Sequence, residues 1–339
     1  MKRRDFITKS VSAGVLAGVG LPLLAQQGNS KLSKRANIVN NELDMREKII
    51  YDTDIGSDID DSLCLAYLLN QKQCDLLGIT TVTGEPVVRA MLTSALLKVA
   101  GRDDIPIYPG VAAPLLTPQM QPEAHQSKYL SKYPHETKFP EGEAIEFMRQ
   151  TIRSHPNKIT LLATGPFTNV ALLFAVDPEI PSLLKRLVVM GGTFTYRYKD
   201  EPCLSEWNAR CDPYATSMMY SAPVKNIISV GLDVTSKVVM KKDEIIERFN
   251  TGILKTVLDF SGILDNTRQE IVFHDPLAAA VIFDKEICRF EKGIVEVETE
   301  SKRLEGLTYW KADENGNNEV AFEVDKERFF KHYFSVFNT

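Results

Sequence analysis

Short apolar runs alternate with longer helix-like stretches along most of the chain. The runs KIIYDTD, CDLLGITTVTG and IPIYPG are typical of buried strands, whereas DDSLCLAYLLNQ and VVRAMLTSALLKVAGR are typical of helices, the second ending at Gly101. The alternation continues through GEAIEFMRQTIRSH, KITLLAT, TNVALLFAV, LKRLVVMGG and NIISVGL. Buried strands joined by helices form parallel sheets, because a parallel connection needs a crossover. We therefore predict an α/β fold with a mostly parallel central sheet and helices on both faces.

The pattern changes after Asp284. The segments GIVEVETE, GLTYWKA and NEVAFEV are typical of antiparallel strands, and DKERFFKHYFSVF has the spacing of a closing helix. A chain of 339 residues can form one large domain or two ordinary ones. We predict a single domain over residues 48–339, with a small antiparallel annex at its C-terminal end.

The first 27 residues are predicted to be a signal peptide. They combine a basic start, the pair Arg3-Arg4 and a glycine-broken apolar stretch from about Val11 to Leu24. A membrane anchor is the alternative, but the stretch is short for a bilayer span, and the paired arginines favour twin-arginine export. Residues 28–47 are polar and are predicted to form a flexible lead-in. We expect a periplasmic or exported protein with no stable membrane association after cleavage.

Charge and cysteine content exclude several classes of protein. A net charge of -5 offers no general attraction to nucleic acid or anionic lipid. Five cysteines in a chain of this length do not make a disulfide scaffold, and no C-x-x-C spacing indicates zinc. Cys203 and Cys211 could pair, and the sequence leaves that question open.

Five aspartates lie within ten residues where the first predicted strand meets the first predicted helix: Asp52, Asp54, Asp58, Asp60 and Asp61. One or two acids can cap a helix. Five exceed that need and repel one another, so we expect a counter-charge, and calcium binds several oxygen ligands, including carboxylates. The spacing of glycine and of the final acid excludes an EF-hand. A magnesium-dependent phosphoryl-transfer site built on a D-x-D pair does not account for the adjacent Asp60-Asp61 pair.

Two further loops lie at predicted strand ends or helix starts. They are ATGPFTN (Ala163 to Asn169) and FHDPLAAA (Phe273 to Ala280). In parallel sheets, ligands bind outside the carboxyl ends of the strands. The pair Asp275-Pro276 also has the pattern of an N-cap followed by proline at the first helical position, so Asp275 has a structural interpretation as well as a functional one.

The segment DTDIGSDIDDSLCLAYLL resembles the signature of the inosine-uridine preferring nucleoside hydrolase family, in a variant with two extra residues before the final Asp pair. Further resemblances follow in the family's order, in LLGITTVTGE, AGRDDIPIYPG, TLLATGPFTNVALL, LVVMGG, SEWNARCDPYA and FHDPLAAA. The resemblance runs from about Lys48 to the C-terminus. It implies a nucleoside hydrolase fold, cleavage of a nucleoside or related riboside to base and ribose, a Ca²⁺ cofactor, and assembly as a homodimer or homotetramer.

The same resemblance implies roles for individual residues. Asp54, Asp61, Asp275 and the backbone carbonyl of Thr164 are expected to bind Ca²⁺, which holds a water molecule and the ribose 2′- and 3′-hydroxyls. Asp54 is also expected to be the general base for that water. His274 matches the position that protonates the leaving base in purine-preferring relatives, a task that suits a histidine.

Other residues are expected to surround the sugar. Asp60 would accept a hydrogen bond from a ribose hydroxyl, and Glu206 and Asn208 would hold the side that carries the 5′-hydroxyl. Asp52 is expected to orient the loop from behind by hydrogen bonding. Trp207, between Glu206 and Asn208, could be core packing.

Two departures from the family pattern concern specificity. Glu85 stands where better-known members have an asparagine that contacts ribose, and a carboxylate accepts hydrogen bonds but cannot donate them. The loop after MGG lacks the usual Gly-Asn and carries Tyr196, Arg197 and Tyr198 instead. Glu85 remains a candidate sugar contact. The departures favour, as an alternative, a calcium-dependent riboside-binding protein without turnover.

Overall fold

A computed structural model describes residues 46–194 and 205–337. The strands in these ranges are β1 (Glu47–Thr53), β2 (Cys74–Thr81), β3 (Ile107–Pro109), β4 (Ile159–Ala163), β5 (Arg186–Met190), β6 (Ile227–Val230), β7 (Val239–Lys241), β8 (Glu270–Val272), β9 (Cys288–Val297), β10 (Thr308–Ala312) and β11 (Asn318–Val324).

The α-helices in the same ranges are α1 (Asp60–Asn70), α2 (Pro86–Ala100), α3 (Ala144–Ser154), α4 (Thr168–Val176), α5 (Ile180–Leu183), α6 (Trp207–Cys211), α7 (Pro213–Ser221), α8 (Leu232–Thr235), α9 (Lys242–Arg248), α10 (Gly252–Phe260), α11 (His274–Phe283) and α12 (Lys326–Ser335). Short 3-10 helices cover His125–Lys132 and Lys285–Ile287. Gly101, with φ 66°, ends α2 as predicted.

The central sheet has nine strands in the order β10-β9-β11-β6-β5-β4-β1-β2-β3. All neighbours from β11 to β3 are parallel, whereas β9 pairs antiparallel with both β10 and β11. The predicted parallel sheet is therefore confirmed. The C-terminal antiparallel strands continue this sheet, because β11 pairs with β6. A separate antiparallel pair, β7 and β8, was not predicted.

Apolar side chains cover both faces of the sheet. In β1, Ile49 and Tyr51 pack into one buried cluster and Ile50 into the other. Helices α1, α2, α10, α11 and α12 contribute to the first cluster, and α3, α4 and α7 to the second. A strand buried on both sides needs apolar residues at successive positions, which is why KIIYDTD has no polar alternation before its acids.

One helix start differs from the prediction, that of α11, where Asp275 was expected as the N-cap. Helix α1 has Ile59 at its N-cap and α11 has Phe273, and neither N-cap makes a side-chain capping hydrogen bond. Asp60 and Asp275 therefore lie inside the first turns of their helices rather than at the caps. Their carboxylates remain near the positive ends of the helix dipoles, but they are free to face a ligand.

Several predictions fall outside the described residues. The signal peptide, nearly all of the lead-in, Cys203 and the Tyr196–Tyr198 stretch belong to this group. Within residues 46–194 and 205–337, no helix is long and apolar enough to cross a bilayer. Cys64, Cys74, Cys211 and Cys288 are buried free thiols.

Candidate active site

A cavity of about 620 Å³ lies at the carboxyl ends of the central strands. The parallel pairing of β1, β4 and β5 brings the loops after these strands to one edge of the sheet. Eight predicted site residues line the cavity: Asp54, Asp60, Asp61, Thr164, Glu206, Asn208, His274 and Asp275. Asp52 and Glu85 are not among the residues that line it.

Three buried carboxylates form the most compact group in the cavity. Oxygen atoms of Asp60, Asp61 and Asp275 all lie within 4.8 Å of one another. Burial raises the pKa of each well above its usual range, and the charges of neighbouring aspartates raise it further. Such a group is stabilised by a cation, and an all-oxygen donor set suits a hard divalent ion. The residues present therefore fit a metal site.

This compact group differs slightly from the predicted ligand set. The prediction combined Asp54 with Asp61 and Asp275 and gave Asp60 to the sugar. The structure places Asp60 in the group of three and Asp54 elsewhere in the same cavity lining. The division of roles between Asp54 and Asp60 remains a prediction.

Hydroxyl groups hold the Asp61 carboxylate in place. Thr53 Oγ1 donates to Asp61 Oδ1 at 2.5 Å, and Thr164 Oγ1 donates to the same oxygen at 3.2 Å. The Tyr51 hydroxyl lies 3.5 Å from that oxygen and 3.1 Å from Thr164 Oγ1. Because these donors come from the ends of β1 and β4, the sheet itself sets the direction of this carboxylate.

Glu206 and Asn208 connect the strand ends to the short helix α6. Glu206 is the N-cap of α6 and accepts from the Asn208 and Ala209 amides at 2.7 and 3.0 Å. It also accepts from the Gly192 amide at 3.2 Å, and burial raises its pKa to about 7. Asn208 Nδ2 donates to the carbonyl of Thr164 at 2.6 Å. That carbonyl is a predicted metal ligand, so Asn208 orients it as well as lining the cavity.

Asp52 lies behind the cavity wall, where the sequence predicted a supporting role. Its Oδ1 accepts from Thr80 Oγ1 at 2.5 Å and from Asn169 Nδ2 at 2.7 Å. Burial raises its pKa to about 7. Asn169 also donates to the Thr81 carbonyl and accepts from the Val111 amide. These bonds connect β1, β2 and α4 beneath the aspartate-rich loop.

His274 begins α11 beside Asp275. Its Nδ1 lies 2.8 Å from Thr235 Oγ1, which fixes the ring orientation. Burial lowers the pKa of His274 to about 4, and the charge of Asp58 opposes that effect without cancelling it. The imidazole is therefore neutral near pH 7 in this state.

Glu85 and Asp58 make contacts away from the acid group. Glu85 is exposed, and its Oε2 accepts from the Ala124 amide at 3.0 Å. Asp58, in the two-residue insertion, lines the cavity and forms an ion pair with Arg268 at 2.5 Å. The geometry thus does not bring Glu85 together with the other predicted sugar contacts.

Two cavity residues were missed as site residues. Gln121 Nε2 donates to Asp54 Oδ2, and Gln121 Oε1 accepts from Trp207 Nε1. Gln121 belongs to a proline-rich loop without periodicity, so no sequence pattern marked it. The Trp207 side chain is 45% exposed and lines the cavity, which corrects the core-packing interpretation.

Arg89 on α2 supports the aspartate-rich loop from below. The guanidinium is fully buried and donates to the carbonyls of Thr83, Asp54 and Ile55. It also donates to Ser57 Oγ at 2.8 Å. A single arginine in the otherwise apolar stretch VVRAMLTSALL was the sequence pattern that could have indicated a buried arginine with hydrogen-bond partners.

Replacing Arg89 with methionine is expected to lower the free energy of unfolding by about 3 kcal/mol, because several buried carbonyls lose their donor. Urea denaturation measures the change. Arg102→Met is the matched control, since Arg102 forms an ion pair with Asp104 near the surface. A loss for Arg89→Met no larger than for this control would contradict the supporting role.

Proteins named as nucleosidases or ribonucleoside hydrolases are similar to this chain over most of its length. Uridine nucleosidase 1 of Arabidopsis thaliana is 29% identical over 315 residues, covering 84% of this chain and 91% of that protein. Probable uridine nucleosidase 2 of the same plant is 31% identical over 279 residues, covering 78% and 85%. A pyrimidine-specific ribonucleoside hydrolase of Salmonella arizonae is 30% identical over 303 residues, covering 83% and 95%.

Solved structures share the fold. A plant nucleoside hydrolase superposes with a TM-score of 0.73 at 24% identity, covering 86% of this chain and 99% of that one. An inosine-uridine preferring nucleoside hydrolase from Bacillus anthracis gives 0.71 at 21% identity, covering 86% and 98%. The sequence profile of the family described as inosine-uridine preferring nucleoside hydrolase matches residues 49–331. The chain therefore belongs to the inosine-uridine preferring nucleoside hydrolase family.

Proposed function

We propose that this N-ribosyl hydrolase cleaves a ribonucleoside to base and ribose in a calcium-dependent reaction. Family membership supports hydrolysis of nucleosides. The observation that carries the calcium proposal is the buried group of Asp60, Asp61 and Asp275 in the same cavity as Asp54 and His274. Oxygen-only donors with repelling charges favour Ca²⁺ over softer metals.

Asp61, Asp275, Asp54 and the Thr164 carbonyl would hold the ion. A divalent cation held there would lower the pKa of a neighbouring water molecule and supply positive charge for sugar hydroxyls. The acidic wall also suits the reaction itself, because positive charge develops on the sugar as the C–N bond breaks.

The chain's own residues would move the protons. Asp54 takes a proton from the attacking water, whose oxygen forms the new bond to the anomeric carbon. The electrons of the breaking C–N bond go to the base, and His274 delivers a proton to it. His274 would make this transfer as an imidazolium, and loss of the proton returns its ring to the neutral form that burial favours. Nδ1 stays on Thr235 throughout. Asp60 accepts a hydrogen bond from a ribose hydroxyl.

The names of relatives suggest which substrates to try first. Two relatives are named for uridine and one for pyrimidine ribonucleosides, so uridine is the first candidate and inosine the second. Glu85 and the missing Gly-Asn support the binding-protein alternative, whereas Asp54 and His274 in one cavity support turnover, because binding alone needs neither a base nor an acid.

Purified protein without residues 1–27 should release reducing sugar from at least one nucleoside in a panel. Chelation should abolish the release, and added calcium should restore it, because the acid group repels itself without a cation. A nucleoside that protects the protein from heat but stays intact would instead support the binding protein. Activity that persists through chelation would contradict the calcium proposal.

Export through the twin-arginine route is a separate proposal, supported by the Arg3-Arg4 pair and the apolar stretch after it. The full-length chain should reach the periplasm of a bacterial host, and changing both arginines to lysine should retain it in the cytoplasm. Equal export of both versions would contradict this route.

A further inference from the structure

Gln121 reaches the cavity from a loop that none of the family motifs includes. Its side chain is buried and lies between Asp54 and Trp207. On the basis of the proposed hydrolysis, we infer that Gln121 is a positioning residue that sets the orientation of the Asp54 carboxylate. Trp207 acts on Asp54 through Gln121.

The orientation of the Gln121 amide follows from its two partners. An indole N–H can only donate, so the oxygen of the amide must face Trp207. The amide nitrogen then faces Asp54, whose Oδ2 accepts its hydrogen bond. This arrangement occupies Asp54 Oδ2 and leaves Oδ1 available to the proposed cation and to the attacking water. A base held in one rotamer reacts from a productive geometry more often than a mobile one.

Three successive residues after β2 hold the Gln121 loop. Thr83 Oγ1 accepts a hydrogen bond from the side chain of Gln119. The Oε1 atom of Gln119 in turn accepts from the backbone N–H of Gln121 at 2.7 Å. Gly84 has φ 59°, and a Cβ there would overlap the carbonyl oxygens of Gln121 and Pro122. Glu85 accepts from the Ala124 amide. The loop therefore packs against the end of β2 through close backbone contact as well as hydrogen bonds.

This network also accounts for the Glu85 departure. The family resemblance places an asparagine amide at that position, facing the sugar. Here Glu85 instead holds the loop on its outer side, and an amide enters the cavity from Gln121. The position after Gly84 thus serves the site indirectly, through the loop it anchors.

The test compares four variants with the wild type in steady-state kinetics on the nucleoside that the wild type cleaves. Gln121→Leu removes both hydrogen bonds at similar volume. Gln121→Glu keeps the acceptor for Trp207 but presents an oxygen to Asp54. Trp207→Phe keeps the ring and removes the donor. The fourth variant is Gln121→Leu/Trp207→Phe. Gln150→Leu on the exposed face of α3 is the matched control, since its amide nitrogen donates to Glu146 on the same helix.

Loss of a hydrogen bond to a charged group corresponds to about 10- to 100-fold. We expect kcat to fall by about that factor in Gln121→Leu and Gln121→Glu, with KM changed less than about threefold. Trp207→Phe should lower kcat less, and it should have no further effect on kcat in the Gln121→Leu background, since both act through one carboxylate. The kinetics are measured at saturating calcium, because Asp54 is also a proposed cation ligand and a hydrogen bond that orients a ligand supports cation affinity as well.

Other results overturn the inference. If kcat for Gln121→Leu and Gln121→Glu stays within twofold of the wild type, or if the loss lies wholly in KM, Gln121 does not position Asp54. Independent, additive effects of the Gln121 and Trp207 changes would break the proposed connection. If Gln121→Leu does not fold, Gln121→Glu decides the outcome. A wild type that cleaves no nucleoside overturns the proposed function and this inference together, whereas an active wild type with unaffected variants overturns the inference alone.

Discussion

Replacing Asp54 with alanine is expected to reduce kcat by about 10³-fold or more while the chain keeps its fold. General-base catalysis typically contributes about 10²- to 10⁴-fold. Asp54 lines the same cavity as the compact acid group and is also a proposed cation ligand. Its backbone carbonyl, rather than its side chain, holds Arg89, so truncating the carboxylate leaves the supporting contact of the loop in place.

Steady-state release of reducing sugar measures the loss, and circular dichroism with thermal melting verifies the fold. Asp103→Ala is the matched control because Asp103 lies exposed in the loop after α2. If Asp54→Ala retained more than about a tenth of the wild-type kcat, a general base could not be assigned to it, since such a loss is below the usual range for that role.

Replacing Asp275 with asparagine is expected to weaken calcium binding and turnover but to stabilise the calcium-free protein. With calcium present, the variant should lose about 10³-fold in turnover and bind the ion weakly, because a carboxylate ligand is gone. With calcium removed, it should melt at a higher temperature than the wild type. One of three repelling buried carboxylates has then become neutral at almost unchanged volume, and each pKa unit of relieved repulsion corresponds to about 1.4 kcal/mol.

The stability difference should depend on pH in a defined direction. The folded-state pKa of Asp275 is raised by burial, by Asp60 and by Asp61. A raised acid pKa means that the folded state binds protons more tightly, so calcium-free wild type loses stability as the pH rises above the unfolded value near 4. The advantage of Asp275→Asn should therefore grow from pH 5 to pH 8. A variant that melts below the calcium-free wild type throughout this range would show that Asp275 is not repelled by its neighbours.

The central sheet was predictable because its strands are buried on both faces. Strands such as β1 and β4 are continuous apolar runs between helices. Such runs can be recognised as buried strands without knowing which strands pair with them. The pairing of β11 with β6 was not predictable in the same way. Its sequence, NEVAFEV, alternates like any antiparallel strand, and the choice of neighbour depends on contacts distant in sequence.

The acid group was predictable in composition but not in detailed geometry. The clustered aspartates indicated that a counter-charge is needed, and the family motifs predicted that FHDPLAAA belongs to the same site. The prediction of Asp275 as an N-cap was wrong, because an acid in the first turn has the same sequence pattern whether it caps the helix or faces a ligand. Gln121 was not predicted, because its neighbours in the loop have no repeating pattern. Its hydrogen bond to Asp54 forms only when the chain folds.

Anomalous diffraction from crystals grown or soaked with calcium tests the central claim most directly. The account predicts one strong calcium peak per chain inside the cavity, with oxygen atoms of Asp61 and Asp275 and the carbonyl of Thr164 within about 2.3–2.6 Å of it. A cavity without a peak at saturating calcium, or a peak held by other residues, would contradict the claim that Asp61 and Asp275, which are distant in sequence, bind a single ion.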